Sequence, residues 1–162
     1  MGNRKQDVAK ISKYLYILLK SLRKLDRYYP TQTKKYLYRC IKHKVSLEKD
    51  PLNEKLVPYV NGNQKTFWGF TSTSPVLKTT LNFLGVKQQS KTGTIFSLGG
   101  EVWGYNITLI NYYEEKEILL EPETKFVVES VYPVDDLINI IGLNIISEML
   151  IDFIYIVAII LS

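Results

Sequence analysis

Three groups of residues in the chain have types and spacings suited to chemistry. The segment from Asn111 to Pro122, NYYEEKEILLEP, places Glu114, Glu115 and Glu117 within four positions, directly before an apolar run closed by a proline. On an extended chain Glu115 and Glu117 point the same way and Lys116 the other. Two like charges on one face repel, so the pair costs stability unless a cation or a reaction uses it. The same cluster is also what a solvated turn looks like. The segment FWGFTSTSP, residues 67–75, joins aromatic residues to four consecutive hydroxyl side chains, Thr71, Ser72, Thr73 and Ser74. If it is extended, Ser72 and Ser74 share a face that Thr73 does not; equally, Ser74-Pro75 is a natural start for a helix over about residues 76–84. Arg39 stands inside an otherwise mostly apolar strand pattern, YLYRCIK, where a charge is usually paired or functional. The single histidine, His43, reads as an ordinary loop residue.

Elements of several kinds must position these groups. Val8, Ile11, Leu15, Leu18, Leu22, Leu25 and Tyr29 recur at steps of three and four, which predicts a helix over 7–29, with Asp7 as its cap and Pro30 as its stop. Lys10, Lys13, Lys20, Arg23, Lys24 and Arg27 fall off that stripe. Such a basic face suits solvent, anionic lipid or an acidic partner. Segments rich in Val, Ile and Tyr follow: TIFSL, then Gly99-Gly100 read as a turn or bulge, then EVWGYNITLI, ILLEP and TKFVVESVYPV. Helix first and strands after predict an α+β protein with an antiparallel or mixed sheet.

The last stretch changes character. Leu137–Leu161 is dominated by Ile and Leu but interrupted by Asn139, Asn144, Glu148 and Asp152. The acidic residues roughly cancel the gain from the aliphatic ones on a membrane-insertion scale, so a spanning helix is marginal. Residues 135–162 are therefore set apart as a hydrophobic tail, expected as a packed or partner-binding helix, a weak membrane anchor or an extension. The remainder, 1–134, is expected as one domain, helical over about 1–30.

Composition sets bounds on function. A chain of 162 residues with 46% hydrophobic side chains and twelve tyrosines can build a core and is not disordered. One cysteine, Cys40, allows no internal disulfide, and one Cys with one His is too few for a Cys/His zinc site. Residues 1–49 carry a net charge of +11 and residues 50–162 a net of −6. The basic front half attracts anions without choosing among them, and no nucleic-acid-binding motif accompanies it. No secretory signal is legible, because the apolar run Tyr14–Leu19 is too short, and the start Met1-Gly2-Asn3 lacks the Ser or Thr expected of a myristoylation site at Gln6. An intracellular, cytoplasmic setting is favoured, with membrane association through the tail or the basic helix as the other expectation. No G-x-G-x-x-G or Walker-type motif is present.

Taken in order, LYRCIK, FWGFTSTSP, GYNI (104–107) and EEKEILLEPETKFVV resemble the arginine–serine–glutamate class of mono-ADP-ribosyltransferases, especially its arginine-specific members. The resemblance covers about residues 36–132. It implies an ADP-ribosyltransferase-like fold: N-terminal helices, then two small packed β-sheets with a cleft for NAD between them. It implies NAD as co-substrate, no metal, and a protein acceptor with an exposed arginine. The implied reaction transfers ADP-ribose to that arginine and releases nicotinamide through an oxocarbenium-like transition state. Under it Arg39 holds NAD, and Cys40 occupies a place where the family often has Gly, whose backbone approaches nicotinamide. Ser72 orients Glu117 and the ribose, with Thr73 and Ser74 supporting the site. Glu117 stabilises the positive charge that develops on the sugar, as carboxylates do in glycosidases. Glu115 pairs with the incoming guanidinium and takes its proton. Tyr112 and Tyr113 precede the pair and fit either target packing or structure. NAD hydrolysis, with water as acceptor, and a non-catalytic NAD- or peptide-binding module are the alternative readings.

Overall fold

The structure, a computed structural model, describes residues 4–28, 36–48, 57–84, 92–110 and 116–146. Two β-sheets form most of it. The elements run in the order α1 (Arg4–Leu22), β1 (Arg27–Tyr28), β2 (Leu37–Ile41), β3 (Gln64–Phe67), β4 (Thr71–Thr73), α2 (Leu77–Leu84), β5 (Gly93–Gly99), β6 (Gly104–Asn106), β7 (Ile118–Leu120), β8 (Thr124–Pro133) and β9 (Ile138–Ile145). One sheet has the order β1-β6-β7-β4 and the other β2-β5-β9-β8-β3. Among the described strands only β5 and β9 pair in parallel; the other partners are antiparallel. The α+β expectation and the presence of two sheets agree with this architecture.

The core draws on both sheets. Leu37, Phe96, Leu98, Phe126, Ile141 and Leu143 from the larger sheet meet Ile118 and Leu120 from the smaller one. On the other side of the larger sheet a second cluster joins Cys40, Ile95 and Leu84, the last residue of α2. The alternation of β2 thus sends Leu37 and Ile41 to one core and Cys40 to the other. Two glycines answer local geometry. Gly100 turns the chain after β5 at φ +81°, and a Cβ on Gly104 would lie 2.7 Å from Ile118 Cγ2 and 2.8 Å from the Leu119 carbonyl oxygen.

Three expectations are corrected. The first helix spans Arg4–Leu22, not 7–29, so Asp7 lies a turn inside it. It ends in tight i→i−3 bonds, Lys24 N–H to Ser21 O at 3.1 Å and Leu25 N–H to Leu22 O at 2.9 Å, because Arg27 and Tyr28 are recruited as a strand beside β6. Its core contact is also narrower than the stripe implied: Leu19 and Leu22 are buried, whereas Ile11 is 57% exposed. Second, EVWGYNITLI forms only the short strand β6, because the Asn106 side-chain oxygen accepts the Thr108 N–H at 3.1 Å and turns the chain into a 3₁₀ turn, Thr108–Ile110.

Third, the hydrophobic tail does not start as a helix. Ile138–Ile145 is β9, which lies inside the larger sheet between β5 and β8 and so belongs to the same folded unit as the residues before it. A central strand is apolar on both faces and reads as a continuous aliphatic run. Its β-branched isoleucines favour that state. Residues 147–162, Met1–Asn3, and residues 111–115 with Tyr112, Tyr113, Glu114 and Glu115 lie outside the described residues. Among the described residues, no helix is long and apolar enough to cross a membrane.

Candidate active site

Among the described residues the two sheets are joined at one isolated bridge, between Tyr38 of β2 and Ser74 just after β4. Tyr38 N–H donates to Ser74 O at 2.8 Å and Ser74 N–H to Tyr38 O at 2.9 Å. The ladder does not continue; instead the Arg39 guanidinium donates from Nη1 to the Ser72 carbonyl oxygen at 3.0 Å. Arg39 and Ser72, 33 residues apart in sequence, therefore meet at the junction of the sheets. Partial burial pulls the Arg39 pKa below its ordinary value, and the nearby Tyr59 and Cys40 partly offset this. An arginine so shifted still carries its charge at neutral pH.

Cys40 stands where the sequence resemblance leads one to expect glycine. Its side chain is buried with Leu84 and Ile95, on the face of β2 away from the core that Leu37 and Ile41 enter. Burial pushes the thiol up to about 12, against a smaller downward pull from Arg39, so it is no nucleophile at neutral pH. In an antiparallel strand, backbone groups of alternate residues face the same side. Tyr38 turns its N–H and C=O outward to Ser74, so those of Cys40, two residues on, face that same edge.

Strand register sorts the hydroxyl residues. Thr71 and Thr73 are buried while Ser72 between them is exposed. Ser72 lies opposite Leu119 and Thr73 opposite Ile118. Ser72 and Leu119 thus share one face of the smaller sheet, and the same alternation continued one residue before β7 assigns Glu117 to that face. Thr73 donates its hydroxyl to the Ile118 carbonyl at 2.7 Å, fastening β4 to the start of β7. The Ser74 hydroxyl accepts the Val76 N–H at 3.1 Å and so caps the entry to α2. Glu117 is half-buried and immediately precedes β7. Its N–H donates to the Thr108 hydroxyl at 3.3 Å and its carbonyl accepts from Ile107 N–H at 3.1 Å, which closes the base of the β6–β7 connection.

A neighbouring carboxylate was not singled out from sequence. Glu121, two residues beyond Leu119, accepts a hydrogen bond from the hydroxyl of the fully buried Tyr105. Burial first, and then Glu121, push the Tyr105 pKa up to about 12, while Arg23, just after α1, pulls it back. This group ties the helix end to the smaller sheet. The sequence held no local sign of it, because its members lie in three separate elements.

A cavity of about 710 Å³ opens beside Arg39 on the core-facing side, with Thr71, His43, Lys44, Tyr59 and Trp68 among its lining residues. Neither Ser72 nor Glu117 lines it. His43, read from sequence as a plain loop residue, lies on the wall of this cavity. Among the described residues no group of three or more His, Cys, Asp and Glu side chains is arranged to hold a metal ion.

Neither a protein-family model nor a curated protein matches the chain. Solved structures do. The Vis toxin, an ADP-ribosyltransferase from Vibrio splendidus, superposes with a TM-score of 0.61 at 22% identity, over 91% of this chain and 63% of that one. Vis in complex with agmatine gives 0.61 at 23% identity, over 86% of this chain and 59% of that one. The Salmonella SpvB ATR domain gives 0.57 at 19% identity, over 91% and 77%. The chain thus spans about three fifths of the length of the Vis chains it matches. The chain thus shares the fold of these ADP-ribosyltransferases.

Proposed function

We propose that the chain is a mono-ADP-ribosyltransferase that takes NAD as co-substrate and an arginine side chain of a protein as acceptor. The observation that carries this reading is the junction itself. Arg39 donates to the Ser72 carbonyl where the sheets meet, and strand alternation carried one residue before β7 turns Glu117 toward the face of Ser72, which supports the reading. A charged planar fork suits pyrophosphate oxygens. The outward-facing backbone of Cys40 suits the nicotinamide carboxamide, and a carboxylate near an exposed hydroxyl suits the ribose that becomes positively charged. The cationic ring of NAD and the cationic acceptor both relieve the repulsion between Glu115 and Glu117.

In this reaction the bond from the ribose C1′ to the nicotinamide nitrogen breaks, and nicotinamide leaves neutral with the electron pair. A guanidine nitrogen of the acceptor forms the new bond to C1′, and the proton it loses passes to Glu115. Glu117 stabilises the charge on the sugar and binds a ribose hydroxyl, with Ser72 orienting both. Thr73 and Ser74 act behind them, through the hydroxyl bonds that set β4 against β7 and α2. Vis has been crystallised with agmatine, a small guanidine-bearing amine, which favours an arginine-like acceptor for this chain as well.

The test is incubation with NAD and agmatine, followed by mass analysis of the products. ADP-ribosyl-agmatine that disappears in Glu117→Ala supports the reading. Free ADP-ribose without the adduct would instead make the chain an NAD glycohydrolase, and NAD binding with neither product a binding module. Glu115→Gln should spare hydrolysis and depress transfer; an equal loss of both would remove Glu115 from the acceptor role.

A further inference from the structure

Helix α1 is rooted in the fold only at its C-terminal end. There Leu19 and Leu22 are buried, Arg23 hydrogen-bonds the buried Tyr105, and the Asp26 carbonyl accepts the Asn106 N–H at 2.9 Å. Positions three and four apart share a helix face, so Ile11, Leu15 and Leu18 continue the line of Leu22. Away from the root that line opens to solvent: Leu22 is 6% exposed, Leu15 40% and Ile11 57%. Tyr14, Tyr16 and Ile17 stand on the flanks at 67%, 45% and 53%. Single exposed apolar side chains are ordinary, but a contiguous group of them marks an interaction surface.

The charge around this group has one sign. Lys13, Lys20 and Lys24 are exposed on the side of the helix turned away from Leu19 and Leu22. Ile17 lies among them, four residues after Lys13 and three before Lys20, with Tyr14 beside it. Lys20 Nζ sits 5.9 Å from the centre of the Tyr16 ring. Residues 4–24 hold seven Lys/Arg against one carboxylate, Asp7.

This combination selects among occupants. A second copy is a poor fit, because a two-stranded coil needs its heptad seam over several turns and Leu22 of that seam is already buried in the fold. Two such helices side by side would also bring their lysines together. A partner that clasps the helix in a groove is obstructed by the body at Leu19 and Leu22. A flat layer of anionic headgroups needs only the outward side. There Ile17 and the Tyr14 ring reach the acyl boundary, and the lysine stems lie along the apolar surface while their ammonium groups meet phosphate and carboxylate. Tyrosine, with an apolar ring and a polar hydroxyl, suits the headgroup level.

We propose that the outward side of α1, carried by Lys13, Tyr14, Ile17, Lys20 and Lys24, docks the protein on an anionic lipid surface. The helix lies on the bilayer rather than across it. The inference is independent of the transferase reading.

Co-sedimentation of the full chain with vesicles tests it, using phosphatidylcholine alone and phosphatidylcholine mixed with phosphatidylserine. The wild type should pellet with the mixed vesicles, stay in solution with phosphatidylcholine alone, and be released by added salt. Lys13→Gln/Lys20→Gln should weaken binding about tenfold or more and flatten the salt dependence. Tyr14→Gln/Ile17→Gln should weaken it and leave the salt dependence in place. Glutamine is a good helix former, so circular dichroism should show wild-type helix content in both variants. No binding of the wild type to the mixed vesicles, equal binding to both lipids, or binding unmoved by both double variants would overturn the proposal. In the last case the lipid contact lies elsewhere in the chain, the aliphatic run 147–162 included. Without lipid binding, self-association that Tyr14→Gln/Ile17→Gln abolishes would give the face to a second copy, and retention on immobilised polyglutamate would give it to an acidic protein.

Discussion

Replacing Arg39 by Met separates a functional arginine from a structural strut. Met keeps the aliphatic stem but removes the fork that reaches the Ser72 carbonyl at 3.0 Å. A hydrogen bond involving a charged group contributes about 1.5–3 kcal/mol to stability. Two features reduce that here. Ser72 is exposed, so water can replace the lost donor, and the half-buried guanidinium is held at a cost that its lowered pKa records. The net loss should be about 1 kcal/mol or less, or about 2–4 °C in Tm for a domain of this size. Binding is another matter. Removing one member of a close charge pair costs about 2–5 kcal/mol, so kcat/KM for NAD should fall by about 30- to 5,000-fold. Ser72→Ala is the companion variant: the acceptor is the Ser72 backbone, so the Arg39 bond stays, Tm stays within about 1–2 °C, and turnover falls. The measurements are thermal unfolding and steady-state kinetics on the same preparations. A Tm drop of more than about 10 °C in Arg39→Met, or an unchanged KM for NAD, would refute the reasoning.

Two further outcomes are expected. Thr73→Val preserves shape but strands the Ile118 carbonyl that now accepts a bond at 2.7 Å, so denaturant unfolding should show a loss of about 1–3 kcal/mol together with reduced turnover. The folded-state pKa values of Cys40 and Tyr105 are both raised to about 12, from ordinary values of 9.0 and 10.0, so both groups bind protons more tightly in the folded chain. Their contribution is complete below about pH 9 and is lost as pH rises toward 12, so stability measured by denaturant titration should decline across that window, and thiol-reactive dye should label native Cys40 slowly at pH 8 compared with the unfolded chain.

The parts of the fold legible in sequence were those written locally. Arg39, Ser72 and Glu117 each sit in a short segment with its own signature, and Arg39 reaches the Ser72 backbone carbonyl. Elements that depend on a distant partner were not legible. The helix over Arg4–Leu22 stops early because Arg27 and Tyr28 find β6, far along the chain. β9 was hidden inside an aliphatic run that periodicity alone does not divide into strand and helix, and its state is decided by pairing with β5 and β8. The cavity wall is the extreme case: His43 is shaped by Thr94 and Val45 by Asn139, contacts spanning 51 and 94 residues. No motif of neighbouring residues encodes them.

The measurement that bears most directly on the central claim is transfer from NAD to agmatine by the wild type and Glu117→Ala side by side, with circular dichroism to verify that both are folded. The account predicts an ADP-ribosyl-agmatine adduct and nicotinamide release from the wild type, and loss of both transfer and NAD hydrolysis in a folded Glu117→Ala. Undiminished turnover in that variant would contradict it.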